Sequence, residues 1–221
     1  MRLRASLYLV MAASVLGLAL AFTFSPLFFV FTALPGLTYT LLVWRKEKVE
    51  REPLVAVFAI FSYGFVVSTL VALIMEVTFE PYMYSVLTVP IVEELAKLLG
   101  VYTISRHRSV FNELDDGIVY GASAGLGFAT LESMIYSVEN PVIVGLLRAI
   151  SSTLGHAASS AVLGYGYAKY FFDGETKTAY VCLALAILLH ALHNFLVETE
   201  MAYWAFPLDM FAFVAVIKKL E

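Results

Sequence analysis

Apolar residues fill this chain in runs of about 20, the length a helix needs to cross a bilayer, and the polar stretches between the runs are short. Eight such runs are expected to be helices, at about 6–24, 27–44, 53–75, 82–104, 116–137, 141–171, 178–198 and 202–217. Pro26, Pro53, Pro81 and Pro141 stand where runs begin, and a missing backbone N–H costs little there. Pro90 falls inside the fourth run and is expected to loosen it. The sixth run, read as one helix, is about 45 Å long at 1.5 Å per residue, so it is expected to tilt or project. The first run, behind Arg2 and Arg4, has the outline of a signal peptide. Its length and the run that follows at once favour an uncleaved span.

Composition agrees with this pattern. Of 221 residues, 61% are hydrophobic and 14% charged, where soluble domains carry roughly 25% charge. The fold expected is an all-α polytopic membrane protein of about eight transmembrane helices. It forms a single membrane-embedded domain over 1–221, because no polar stretch is long enough for a soluble one. A net charge of −4 gives no basis for nucleic-acid binding, and the lone Cys182 excludes an intrachain disulfide or a cysteine metal cluster.

Charge then orients the helices. Twelve of the fourteen basic residues fall at the N-terminus, in alternate loops (Arg45, Lys46, Lys48, Arg51, Arg106, Arg108, Lys169, Lys177) and at Lys218 and Lys219. Glu76, Glu80, Glu139, Glu198 and Glu200 occupy the other side. Lysine and arginine concentrate in cytoplasmic loops, so both termini are expected in the cytoplasm. Tyr82, Tyr84, Tyr203, Trp204 and Trp44 fit interfacial belts. Gly117, Gly121 and Gly125, spaced four apart, predict close helix packing.

The two remaining bases, Lys97 and Arg148, lie inside the runs with other polar groups. "VPIVEELAKLLG" holds Glu93, Glu94 and Lys97, and "GFATLES" holds Phe128 and Glu132. "RAISSTLGHAASS" puts Arg148, Ser152, His156 and Ser160 on one helix face, each four residues from the last. "HALHNF" puts His190 and Asn194 on one face, with His193 beside them. Charge inside a bilayer is expensive, about 2.5–3.5 kcal/mol on insertion scales, so such groups point to function. Plainer roles stand beside that one. Glu93 and Lys97 can neutralise each other, Glu132 and Arg148 can form a structural ion pair, and His193 can bond a neighbouring helix. Asp209 is expected to snorkel or cap near an interface.

Three chemistries use this inventory. A carboxylate can activate water for peptide hydrolysis while histidine and asparagine polarise the carbonyl. Glu93, Glu132, His156 and His190 are residue types that hold zinc. The same groups can form a proton or cation path. Lys97, one turn from Glu93, opposes a bound cation, so zinc is the less favoured expectation and no cofactor is expected.

The ordered motifs EELAK, FATLE, HAASS and HALHN on consecutive helices resemble the PrsW family of intramembrane proteases, over about residues 90–196. "DDGIVYGASAGLGFATLE" is similar to that family's second motif region. The resemblance implies a multi-pass endopeptidase of a prokaryotic cytoplasmic membrane. It also implies a substrate among single-pass membrane proteins such as anti-sigma factors. Related CAAX prenyl endoproteases are regarded as glutamate-dependent, with EExxxR, FxxxH and HxxxN motifs. Here Glu132 replaces a histidine, and Lys97 replaces an arginine one position later. By position the resemblance implies Glu93 and Glu94 as the catalytic pair, with Glu132, His156, His190 and Asn194 in the site. Lys97 and Arg148 are expected to hold structure or meet substrate. Glu93 is the expected base, with His190 and Asn194 at the scissile carbonyl.

Overall fold

The computed structural model describes residues 26–80, 86–139 and 142–221. The expected first span at 6–24, Arg2, Arg4, Pro81, Tyr82, Tyr84 and Pro141 lie outside the described residues. Among those described, the chain is helical and has no strand. The helices are α1 (Pro26–Lys46), α2 (Leu54–Tyr63), α3 (Thr69–Thr78), α4 (Thr88–Ser105), α5 (Leu114–Glu139), α6 (Val142–Ile150), α7 (Ser152–Asp173), α8 (Thr176–Glu198) and α9 (Ala205–Leu220). A π-helical turn, Gly64–Ser68, joins α2 to α3, so the two form one continuous span. Leu54–Thr78, Leu114–Ser137 and Thr176–Glu198 are each long and apolar enough to cross a membrane.

Helix α5 is the centre of the bundle, and its most extensive contact is with α7. The glycine spacing explains why. A Cβ added at Gly121 would lie 2.3 Å from the Ser160 carbonyl oxygen, and one at Gly125 would lie 2.3 Å from that of His156. At Gly117 the obstacle is the Gly164 carbonyl, at 2.4 Å. The two backbones therefore touch directly. On its other side α5 meets α2 and the π turn, with Phe61, Phe65 and Leu126 in the shared core. Ser68 Oγ donates to the Ala96 carbonyl at 3.0 Å and ties the π turn to α4. The outward faces carry exposed Leu70, Ile74, Leu147, Leu188 and Phe211, the apolar coat that lipid covers.

The sixth run is not one helix, because it breaks at Ser151 into α6 and α7. Ser151 Oγ donates to Asp209 Oδ2 at 2.8 Å, a tertiary bond from α9 that local propensity does not reveal. Pro90 does not loosen a helix interior. Helix α4 starts at Thr88, so Pro90 sits in its first turn, where no N–H bond is lost.

Candidate active site

Helix α4 brings the opening motif into the bundle. Successive helical residues project about 100° apart, so Glu93 and Glu94 face different neighbours although they adjoin in sequence. Lys97, one turn further on, is 1% exposed. Its ammonium lies 2.9 Å from Glu94 Oε1, 3.3 Å from Glu93 Oε2 and 2.8 Å from His156 Nδ1. It also lies 4.2 Å from the centre of the Phe128 ring, which gives the cation an aromatic face. The expected Glu93–Lys97 pair therefore exists, but the shorter bond goes to Glu94.

Glu94 is saturated. Besides Lys97, its Oε1 accepts from Ser159 Oγ at 3.0 Å and faces His190 Nδ1 at 3.0 Å, and its Oε2 accepts from Ser160 Oγ at 2.9 Å. A fully buried carboxylate with four donors is an ionised anchor, and it pins α4 to α7 and α8. The contact also defines the His190 tautomer: Nδ1 carries the proton toward Glu94, and Nε2 of the neutral ring is a lone pair.

His156 stands between two charges. Its Nδ1 accepts from Lys97, and its Nε2 lies 2.9 Å from Glu132 Oε2, close but outside hydrogen-bond alignment. Glu132 in turn pairs with Arg148, Nη2 to Oε1 at 2.7 Å, and the guanidinium lies 3.8 Å from the centre of the Tyr136 ring. The structural pair expected of Glu132 and Arg148 is present, and it reaches the site through His156.

Beside these groups is a cavity of about 310 Å³, walled by α3, α4, α5, α6 and α8. Glu93, Glu132, Arg148 and Asn194 line it together with Phe128 and Tyr136. Glu93 Oε2 is 3.6 Å from His190 Nε2 and 3.9 Å from His156 Nδ1, and the two imidazoles meet edge to face with centres 4.6 Å apart. Glu94 and Lys97 do not line the cavity.

A family profile described as "PrsW family intramembrane metalloprotease" matches residues 52–218. The chain belongs to the PrsW family. It is 29% identical over 191 residues to Protease PrsW of Geobacillus kaustophilus, covering 80% of this chain and 82% of the relative. The Clostridioides difficile protein of the same name is 28% identical over 210 residues, 87% of each chain. That of Bacillus subtilis is 28% identical over 181 residues, 78% of this chain and 83% of the relative. No solved structure matches. Membership in this family, with the apolar helices described above, makes the chain a multi-pass integral protein of a bacterial membrane and a peptidase.

The PrsW description includes a metal, and the residues can be tested for it. Glu93, His156 and His190 each offer one donor atom, all within 4.8 Å of one another. Glu94 orients His190 in the manner of a carboxylate behind a zinc-bound histidine. The Lys97 ammonium, however, engages Glu93 Oε2 and the Nδ1 lone pair of His156, so two of the three residues already serve a cation. With Lys97 there the set does not fit a metal ion.

Every motif residue of the PrsW pattern named from sequence converges here, but not in one layer. Two further residues join them. Ser159 supplies a donor to Glu94, and Glu76, assigned to an outer loop by charge, lies in the last turn of α3 and lines the cavity. Thr69, Ala72, Leu73 and Glu76 all line it at helical spacing, which is the signal that marks Glu76 in the sequence. His193 and Asp209 form a separate buried pair, Nδ1 to Oδ2 at 2.9 Å, that ties α8 to α9 and does not line the cavity. Asp209 is 2% exposed, so it does not snorkel, and its carboxylate bonds the Ser151 and His193 side chains instead of capping a helix.

Proposed function

We propose that the protein is a metal-free intramembrane endopeptidase in which Glu93 activates water. The observation that carries this is the contrast between adjacent carboxylates: Glu94 is filled by four donors, while Glu93 faces the cavity and shares only Lys97. A water bound between Glu93 Oε2 and His190 Nε2 would attack the scissile carbonyl carbon and give its proton to Glu93. The C–N bond then breaks as that proton passes to the leaving amine. In its neutral form His190 lacks an Nε2 proton, so it orients the water instead of holding the oxyanion. Asn194, one turn along α8 and lining the cavity, is the oxyanion donor. Glu132 and His156 hold Lys97 in place.

The substrate is a single-pass membrane protein of the anti-sigma-factor kind, a reading supported by the family resemblance. The basic-residue distribution supports cytoplasmic termini. A zinc-dependent mechanism is the competing reading, supported by the three converging donors and the family description.

The decisive experiment is cleavage of a panel of single-pass membrane peptides by purified protein. Glu93→Gln should lower the rate at least about 100-fold, since general-base assistance is worth 10²–10⁴. Asn194→Ala should lower it about 10²–10³-fold. Near-normal cleavage by Glu93→Gln ends the glutamate reading, and activity lost to chelator and restored by zinc selects the metal one.

A further inference from the structure

We propose that Glu47, Glu113 and Asp116 form a binding site for one hard divalent cation, Mg²⁺ or Ca²⁺, at the end of the bundle that carries the basic loops. The site is about 24 Å along α5 from Glu132 at 1.5 Å per residue, and the peptidase reading does not depend on it.

The three acids come from different places. Glu47 follows α1, Glu113 precedes α5, and Asp116 lies in the first turn of α5. Each offers a ligand oxygen within 4.8 Å of the other two. Two of them use one oxygen to fix themselves. Glu47 Oε2 accepts the Glu52 N–H at 3.1 Å, and Asp116 Oδ2 accepts the N–H groups of Asn112 at 2.6 Å and Glu113 at 2.8 Å. What remains is unusual for a protein interior: Glu47 Oε1, Asp116 Oδ1 and Glu113 Oε1 are all buried with no hydrogen-bond partner. Glu47 is 1% exposed and Asp116 0%, so bulk water does not satisfy them.

Neighbouring charge does not satisfy them either. Among the described residues no basic group comes within ion-pair distance of the three acids. Lys46 pairs with Glu221, Arg51 lies over the Trp44 ring, and Arg108 over that of Phe171. Glu52, the fourth buried acid nearby, accepts from the Tyr120 hydroxyl, and its carboxyl also interacts with that of Asp116. Glu50 and Asp115 add further negative charge. Carboxylate oxygens without histidine or thiolate select a hard ion, and such ions keep water in their remaining positions. Of the three acids, Glu113 also lines an open cleft of about 410 Å³ with Asn112 and Asp115.

The test uses the full chain in detergent micelles, stripped with chelator at neutral pH, with Mn²⁺ titrated at constant ionic strength and followed by electron paramagnetic resonance. The expected result is one saturable Mn²⁺ per chain, displaced by both Mg²⁺ and Ca²⁺; the ion displacing at lower concentration is the preferred occupant. Saturating Mg²⁺ or Ca²⁺ should raise Tm by about 5 °C, as any ligand of the folded state alone does. Glu113→Gln, at a half-buried position, should weaken Mn²⁺ at least tenfold and abolish that rise, and Asp116→Asn should do the same. Glu93→Gln should leave binding unchanged. Absence of saturable Mn²⁺ in the wild type would mean that protons alone occupy the cluster and overturns the proposal. Unchanged binding in Glu113→Gln, or binding lost in Glu93→Gln instead, overturns it equally. If Asp116→Asn does not fold, Glu113→Gln decides.

Discussion

The Nζ of Lys97 lies 2.8 Å from Nδ1 of His156, so a buried ammonium holds the ring nitrogen that faces Glu93. The same nitrogen touches Glu93 and Glu94, which makes Lys97 the counter-charge for both.

Removing it has two consequences. Lys97→Met should destabilise the protein by about 3–5 kcal/mol, because two buried carboxylates lose their partner. It should also free the His156 lone pair, so the purified variant should bind zinc more tightly than the wild type. Thermal unfolding and metal analysis read the two effects separately, and a Lys97→Met protein that is as stable as wild type and takes no more zinc contradicts this arrangement.

Glutamine substitution should separate the neighbouring acids. Glu94→Gln puts an amide N–H₂ among four donors, and each mismatched buried group costs about 1–3 kcal/mol. A clear fall in Tm is expected. Glu93→Gln removes a charge that has only Lys97 as a close partner, so its Tm should stay near that of wild type while cleavage collapses. Equal loss of stability in the two variants would count against the division of roles.

This split marks the limit of what the sequence makes legible. Glu93, Glu94, Glu132, His156, His190 and Asn194 can be found because polar residues recur at helical spacing inside apolar runs. Which glutamate is the anchor cannot be found that way: it depends on the 100° between neighbours and on which one meets Ser159 and Ser160 of α7. The break at Ser151 is equally hidden. No proline or glycine marks it, and its partner Asp209 lies 58 positions away. Helix content, by contrast, follows directly from run length.

Asp209 belongs to that hidden set. Asp209→Asn keeps one acceptor oxygen but weakens the charge-assisted contact with His193 at 2.9 Å and the Ser151 bond at 2.8 Å. Stability should fall by about 1–3 kcal/mol. Cleavage per folded molecule should stay within a few-fold of wild type, since the pair does not line the cavity. A turnover assay normalised to folded protein checks this, and a loss of a hundredfold would move Asp209 into the catalytic machinery.

The direct contact of the α5 and α7 backbones reaches further than packing. Glu132 rides on α5 and His156 on α7, and their polar atoms meet at 2.9 Å. Nothing compressible separates the two carriers at Gly121, where an added Cβ would lie 2.3 Å from the Ser160 carbonyl oxygen. Gly121→Ala must therefore push the helices apart by about 1 Å, and a displacement of that size at a catalytic contact can cost about 10²-fold. Cleavage should fall accordingly in a protein whose helical circular dichroism is unchanged; full activity would show that the spacing is not critical. The glycines act as a gauge block for the site, making interhelical distance a catalytic variable set by atoms that bear no charge.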